Sequence, residues 1–380
     1  MTDLLRQEIA TAAHTIVVKV GTRVLTHEDG TLDESRIARL AEDICQLLDA
    51  GRRVVLVSSG AVGAGMSQLG LSQRPLDVAR LQAVAAVGQA RLIEVYDRTF
   101  HKHGRNAAQV LLTADDVDDR TRYLNVRNTL RALLDFKAVP IINENDTVAV
   151  DELVATFGDN DRLAALVTNL LRAPLLVILS DVDGLYTGNP KLGNAELIHT
   201  VTRLDETVLG YVRDRSSALS KGGMASKLNA ARIVTTAGEN VIIASGRQPG
   251  ILPRILRGEV VGTLVLPQGK SISPRKRWIG FSAQSCGRLV VDAGARVAIV
   301  EQGRSLLAAG IIDVEGDFRK GDLVTLSDQQ GREIARGLTN YHAEEVDRIK
   351  GLRSDRITQV LGYRPYDEVI HRDNMAVVSP

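Results

Sequence analysis

The sequence predicts an α/β domain built on an open, mainly parallel sheet sandwiched by helices, followed by a small β-rich barrel. Three observations carry that reading. Short β-branched runs alternate with helix-patterned segments across residues 1–267. The runs are apolar at nearly every position, as befits strands covered on both faces. After Pro267 the alternation gives way to closely spaced short strands and glycine turns.

Taken in order, Ile16-Val17-Val18-Lys19-Val20 reads as the first strand and stops at a Gly21 turn. Ile37, Leu40, Ala41, Ile44, Leu47 and Leu48 then recur at helical spacing, and Gly51 closes that helix. Val54-Val55-Leu56-Val57 is the next strand, and residues 139–142, 175–179 and 241–244 repeat its style. Pro274 and Arg275-Lys276-Arg277 mark residues 268–277 as a linker. Beyond it, residues 287–292, 296–300, 322–326 and 333–336 read as short strands of a second domain over 278–380.

Composition narrows the class. Apolar residues make up 44% of the 380 and charged residues 24%, the profile of a soluble globular protein of two domains. The formal net charge is only +1, so any anion must be held by local groups rather than by a global field. Cys45 and Cys286 show no metal-ligand spacing, and Cys45 falls on the patterned part of a helix as an inert buried thiol. A cytoplasmic, reducing compartment is the resulting expectation. Residues 1–10 carry Asp3 and Glu8 and lack a signal peptide's apolar run, and no stretch approaches the ~20 apolar residues of a membrane helix.

The strand ends carry the chemistry. Gly21-Thr22, Ser58-Ser59-Gly60, Asn143-Glu144-Asn145-Asp146, Ser180-Asp181 and Ser245-Gly246 each follow an apolar run directly. In open α/β sheets the ligand crevice lies just beyond the carboxyl ends of the strands. Packing alone does not call for so many polar and glycine residues there. The glycine-rich stretch from Ser58 to Gly65 would let backbone N–H groups approach an anion, although a plain tight turn has the same composition. Lys19, inside an apolar strand, is placed to neutralise phosphate rather than to snorkel from a sheet edge.

Lys227 follows Lys221-Gly222-Gly223-Met224-Ala225-Ser226 at the start of a helix, an arrangement that suits either a phosphate cradle or a flexible loop with a solvated lysine. Asn143-Glu144-Asn145-Asp146 and Gly158-Asp159-Asn160-Asp161 form two acidic and amide clusters. One member of the second must cap the helix that carries Leu163, Leu166, Val167 and Leu170. Capping does not explain three such side chains in a row. Asn and Asp can grip an amino acid's ammonium, and Asp can orient lysines around a transferring phosphoryl group.

No Ser-His-Asp arrangement stands out, and the seven histidines are scattered. That fits a carboxylate acceptor, already ionised at neutral pH with a pKa of ~4.3 and needing no general base. Catalysis then reduces to positioning and to cancelling negative charge.

Together these motifs resemble the amino acid kinase family, and within it the branch that phosphorylates glutamate. The likeness runs from Ile16 to Gly351 through Lys19-Val20-Gly21, the Ser58-to-Gly65 loop and the stretch from Leu81 to Gln89. It continues in Tyr123-Leu124-Asn125, both acidic and amide clusters, Asp181-Val182-Asp183-Gly184-Leu185-Tyr186 and Gly222-Gly223-Met224. The resemblance implies that ATP phosphorylates the γ-carboxylate of L-glutamate, with magnesium, as the first step of proline biosynthesis. It implies that Lys19 and Lys227 stabilise the phosphoryl group and that Asp161 holds those lysines. Ser59, Gly60, Asp146 and Asn160 would bind glutamate, with Asn143 nearby. Ser180, Asp181, Lys221, Gly222, Gly223, Met224, Ala225, Ser226 and Lys227 would bind the nucleotide. A homo-oligomer and feedback inhibition by proline are also implied; direct metal ligands are not.

Residues 292–295, 303–307 and 321–322 resemble a PUA domain, a pseudobarrel best known from RNA-modifying enzymes. From residue 270 onward there are 17 Lys and Arg against 15 Asp and Glu, a net of +2, and aromatics are 3% of the chain. Both argue against RNA as a partner and for an interaction or regulatory role. Two departures from the family stand out: Ser220-Lys221 in place of Gly-Thr, and Thr22-Arg23 after the first glycine. Arg23 could point away or reach a phosphate. The competing readings are a kinase for aspartate, acetylglutamate or a nucleoside monophosphate, and an RNA-binding protein. Arginines at the amide pocket would favour a phosphate-bearing acceptor.

Overall fold

The computed structural model describes residues 3–27, 29–148, 160–190, 195–213, 223–267, 278–282, 284–364 and 366–378. The linker assigned to 268–277 therefore lies outside the described residues, as do Asp159, Lys221 and Gly222. The chain divides into two compact units, one of residues 1–117 and 121–271, the other of residues 118–120 and 272–380.

In the first unit, β1 (Thr15–Val20) leads through α1 (Glu34–Asp49) to β2 (Arg53–Ser58). Two helices follow, α2 (Ala61–Gln68) and α3 (Val78–His101), then β3 (Ala107–Leu112) and β4 (Val139–Glu144). Next come α4 (Asn160–Leu171), β5 (Leu175–Ser180), β6 (Thr200–Val201), α5 (Met224–Thr236), β7 (Asn240–Ser245) and β8 (Thr263–Val265). The eight strands form one sheet in the order β3-β4-β2-β1-β5-β7-β8-β6. The pairs from β3 through β7 are parallel, and β8 turns antiparallel against β7. The expected α/β architecture is the observed one.

Side-chain alternation along β1 divides its labour. Ile16, Val18 and Val20 join a core cluster with Ile37, Ile44 and Leu92. Lys19 points to the opposite face, because neighbours on a strand alternate. Register aligns Val20 with Ser58 and Ser180 with Ser245, so these polar residues share one edge of the sheet.

The glycine-rich stretch serves packing as well as the site. Gly60 has φ +111°, a left-handed conformation that turns β2 sharply into α2. Gly65 and Gly88 do something else: they let α2 and α3 touch backbone to backbone. A Cβ on Gly65 would lie 1.8 Å from the Val84 carbonyl oxygen, and one on Gly88 would lie 1.8 Å from that of Ala61. This close crossing carries Gln89 of α3 next to the β2–α2 turn.

In the second unit, β9 (Gly287–Val291), α6 (Ala293–Val300), β10 (Ile311–Gly316), β11 (Leu323–Ser327), β12 (Glu333–Leu338) and β13 (Met375–Val377) surround a separate core. Its sheet runs β10-β9-β11-β12-β13. One expected strand is corrected: residues 296–300 are helical, not extended. Asp292 caps the helix by accepting from Ala295 N–H at 2.7 Å, and that start signal overrides the β-branched run.

Candidate active site

One strand and two helix starts meet at Asp161. The residue sits in the first turn of α4, which packs across β1 on the face to which Lys19 points. Lys19 Nζ approaches Asp161 Oδ1 to 2.6 Å, and Lys227 Nζ donates to Oδ2 at 3.0 Å. Ser226 Oγ donates to the same oxygen at 3.2 Å. All three charged groups are buried. Burial works to raise the Asp161 carboxyl, but the ammoniums of Lys19 and Lys227 outweigh it and hold the pKa below the ordinary carboxylate range. The result is two cations, one anion and a net positive charge in a dry enclosure, suited to a polyanion.

The neighbouring residue, Asn160, belongs to a second network. Its Nδ2 donates to Ser59 Oγ and to Asn143 Oδ1, each at 3.0 Å. Asn143 Oδ1 also accepts from Glu144 N–H at 2.9 Å, and Asn143 Nδ2 donates to Gln89 Oε1 at 2.8 Å. Behind Ser59, Ser58 Oγ donates to the Ser59 carbonyl at 3.1 Å, which leaves the buried Tyr96 hydroxyl to donate to Ser58 Oγ at 3.0 Å. Ser58, Ser59, Gln89, Tyr96, Asn143 and Asn160 thus form one connected network.

Asp146 is half-buried in the turn that follows β4 and interacts with Arg74. Burial lowers the Arg74 pKa while the Asp146 charge works to raise it. Arg74 thus lies near Asp146, and a guanidinium suits a carboxylate as well as a phosphate.

Ser180 and Asp181 stand beyond β5. Ser180 Oγ donates to Asp181 Oδ1 at 3.2 Å, and Arg23 Nη1 lies 3.3 Å from Asp181 Oδ2. Burial pushes the Asp181 carboxyl up, but Arg23 and Ser180 bring it below its ordinary value. Arg23 thus reaches a carboxylate on the strand edge and remains largely exposed. Nearby, Val182, Leu185, Tyr186, Tyr211, Val212 and Met224 line a shallow, largely apolar recess.

Of the residues expected at the site, Lys19, Asp161, Lys227 and Ser226 join one network, and Ser59, Asn143 and Asn160 the other. Gly60 makes the turn that presents Ser59. Gly223 caps α5, whose first turn holds Met224, Ala225, Ser226 and Lys227. Gln89 and Tyr96 are not among the residues expected at the site, whereas Ser58 is one of the polar strand-end residues. The signal for Gln89 is an amide on the buried helix face of Leu81, Ala85 and Leu92, an apolar stripe with no structural call for one.

The amino acid kinase family profile matches residues 14–245, and the PUA domain profile matches residues 287–361. This chain belongs to the amino acid kinase family. Relatives extend the match to nearly the whole length. The glutamate 5-kinase of Rhodopirellula baltica is 49% identical over 98% of this chain and 96% of its own. That of Rippkaea orientalis is 50% identical over 96% of this chain and 99% of its own. That of Thermoanaerobacter sp. is 47% identical over 96% and 98% respectively. This amino acid kinase thus carries its PUA domain in common with them. Among the described residues, no helix is long and apolar enough to cross a membrane.

Proposed function

We propose that this chain is a glutamate 5-kinase, transferring the γ-phosphoryl group of ATP to the γ-carboxylate of L-glutamate. The single observation that carries the proposal is the adjacency of Asn160 and Asp161. One residue faces an amide pocket fit for an amino acid, and the next grips two buried lysines fit for a phosphoryl group.

In this mechanism the glutamate sits against Ser59, Asn143, Asp146 and Asn160, with ammonium facing the carbonyl and carboxylate oxygens. Its γ-carboxylate oxygen attacks the γ-phosphorus in line, the bond to the β–γ bridging oxygen breaks, and ADP leaves. Lys19 and Lys227 neutralise the equatorial oxygens and the departing charge, and Asp161 keeps both ammoniums aimed. No proton is removed from the acceptor. Ser180, Asp181 and the 221–227 loop bind the nucleotide.

Among the described residues, no cluster of three His, Cys, Asp or Glu side chains could hold a metal. Asp161 is already committed to two lysines. A magnesium ion would therefore enter on the nucleotide phosphates, where it would screen their charge. Proline shares glutamate's α-ammonium and α-carboxylate, so competitive inhibition at the same pocket belongs to this proposal. The family resemblance supports a homo-oligomer, the free cysteines Cys45 and Cys286 a reducing cytoplasm, and the near-neutral second domain a role other than RNA binding.

The test is an acyl-phosphate trap with ATP, magnesium and hydroxylamine. Hydroxamate should form with glutamate and not with aspartate or acetylglutamate. Hydroxamate with another acceptor alone would overturn the assignment.

A further inference from the structure

The amide orientations in the acceptor pocket depend on one another. The Glu144 backbone N–H can only donate, so the Asn143 atom 2.9 Å away is its oxygen. Asn143 Nδ2 must then donate, and Gln89 Oε1 at 2.8 Å receives it. Asn160 must likewise turn its Nδ2 toward Asn143 Oδ1, and the same nitrogen also donates to Ser59 Oγ. One backbone group thereby sets three side-chain amides. The arrangement leaves Asn160 Oδ1 and Gln89 Nε2 without partners among the described residues, and both residues are more than nine-tenths buried. Unpartnered buried amide atoms are costly, and a ligand that supplies the missing partners recovers that cost.

An α-ammonium is the group that satisfies a lone carbonyl oxygen such as Asn160 Oδ1. Resting on the glutamate reading, we infer that Gln89 is a positioning residue for the acceptor amino acid, acting through Asn143 on Asn160. Its Oε1 is the acceptor that keeps the Asn143 amide in place. Without it, Asn143 Nδ2 is buried unpaired, the Asn143 side chain rotates to find a partner, and Asn160 loses the contact that orients its carbonyl. The Gly65–Gly88 crossing makes this possible, because it sets α3 close enough for Gln89 to reach β4.

The experiment measures KM for glutamate and for ATP in the full chain. Gln89→Met keeps the length of the side chain and removes the acceptor. The glutamate KM should rise about tenfold, the change expected for one lost buried hydrogen bond, while the ATP KM moves less than twofold. In an Asn143→Ala background the same substitution should add less than twofold, since its target is gone. Equal changes in both KM values, or full additivity, would mean a merely structural role and overturn the inference. Gln89→Glu supplies a second variant should methionine disturb folding. It keeps an oxygen for Asn143 and should hold the glutamate KM within threefold; a tenfold rise would overturn action through Asn143. A wild-type protein that forms no glutamyl hydroxamate would instead end the glutamate reading itself, whereas an active wild type with an unchanged Gln89→Met variant would end only the role of Gln89.

Discussion

Lys19 and Asp161 meet at 2.6 Å with side chains 7% and 3% exposed, so a strand lysine and a helix-start aspartate share one dry ion pair. Lys227 joins them from a third element. A buried carboxylate between two ammoniums is the point on which both stability and catalysis turn.

Asp161→Ala should therefore cut turnover by at least ~100-fold, the scale of losing one preorganised electrostatic element. It leaves two buried ammoniums uncompensated, so a stability loss of about 3–5 kcal/mol accompanies it. Steady-state kinetics on folded variant and thermal unfolding measure the two effects. Near-normal turnover would remove Asp161 from the mechanism.

The same group sets an acid limit. The folded pKa of Asp161 lies below its ordinary 3.8. Its stabilisation is thus present above about pH 4 and is lost as pH falls through the lower, folded value. Asp161→Asn should be less stable than wild type at neutral pH, with the gap narrowing below pH 4. Thermal unfolding across pH 3–7 checks it; a gap independent of pH contradicts it.

Asp43 behaves in the opposite sense. It is buried on α1, and burial raises its pKa to about 6, against the weaker pull of the Leu252 N–H. A raised folded pKa gives stability that is fully present below 3.8 and lost as pH rises through about 6. Relative to wild type, Asp43→Asn should gain in melting temperature between pH 4.5 and pH 7.5. Since part of the group meets solvent, a gain of a few degrees is the expected scale.

The helix crossing is equally testable. Gly65→Ala and Gly88→Ala each drive a methyl carbon to within 1.8 Å of a backbone oxygen, and backbone cannot swing aside as a side chain can. Each should cost about 3 kcal/mol or more. Gly63→Ala, whose nearest obstacle is the Gly30 oxygen at 3.1 Å, should cost much less. Melting temperatures in the order wild type, Gly63→Ala, Gly65→Ala test the assignment of packing to Gly65 and Gly88.

Arg23 is largely exposed where it meets the half-buried Asp181, so the pair is worth little to stability. Asp181→Ala should leave the melting temperature within about 2 °C and raise the ATP KM several-fold, with the glutamate KM unchanged. A rise in the glutamate KM instead would move Asp181 out of the nucleotide site.

The α/β class and the strands at β1, β2, β4, β5 and β7 were legible in the sequence, where Lys19, Asn160 and Asp161 stood out as candidates. Strands covered on both faces must be apolar throughout, so a lysine within one, or a polar residue just past its end, stands out locally. Residues 296–300 suggest a strand but are helical, because a β-branched run is ambiguous until the Asp292 cap is weighed.

What the sequence alone determined about this protein is its class of elements and the residues able to carry charge chemistry. What only the tertiary structure decided is which of them meet. Lys19, Asp161 and Lys227 lie far apart in the chain, and parallel register with α4 laid across β1 brings them onto one carboxylate. Gly65, Gly88, Gln89 and Tyr96 owe their roles to a helix crossing that no local pattern announces, because a glycine's need for close approach depends on what lies opposite.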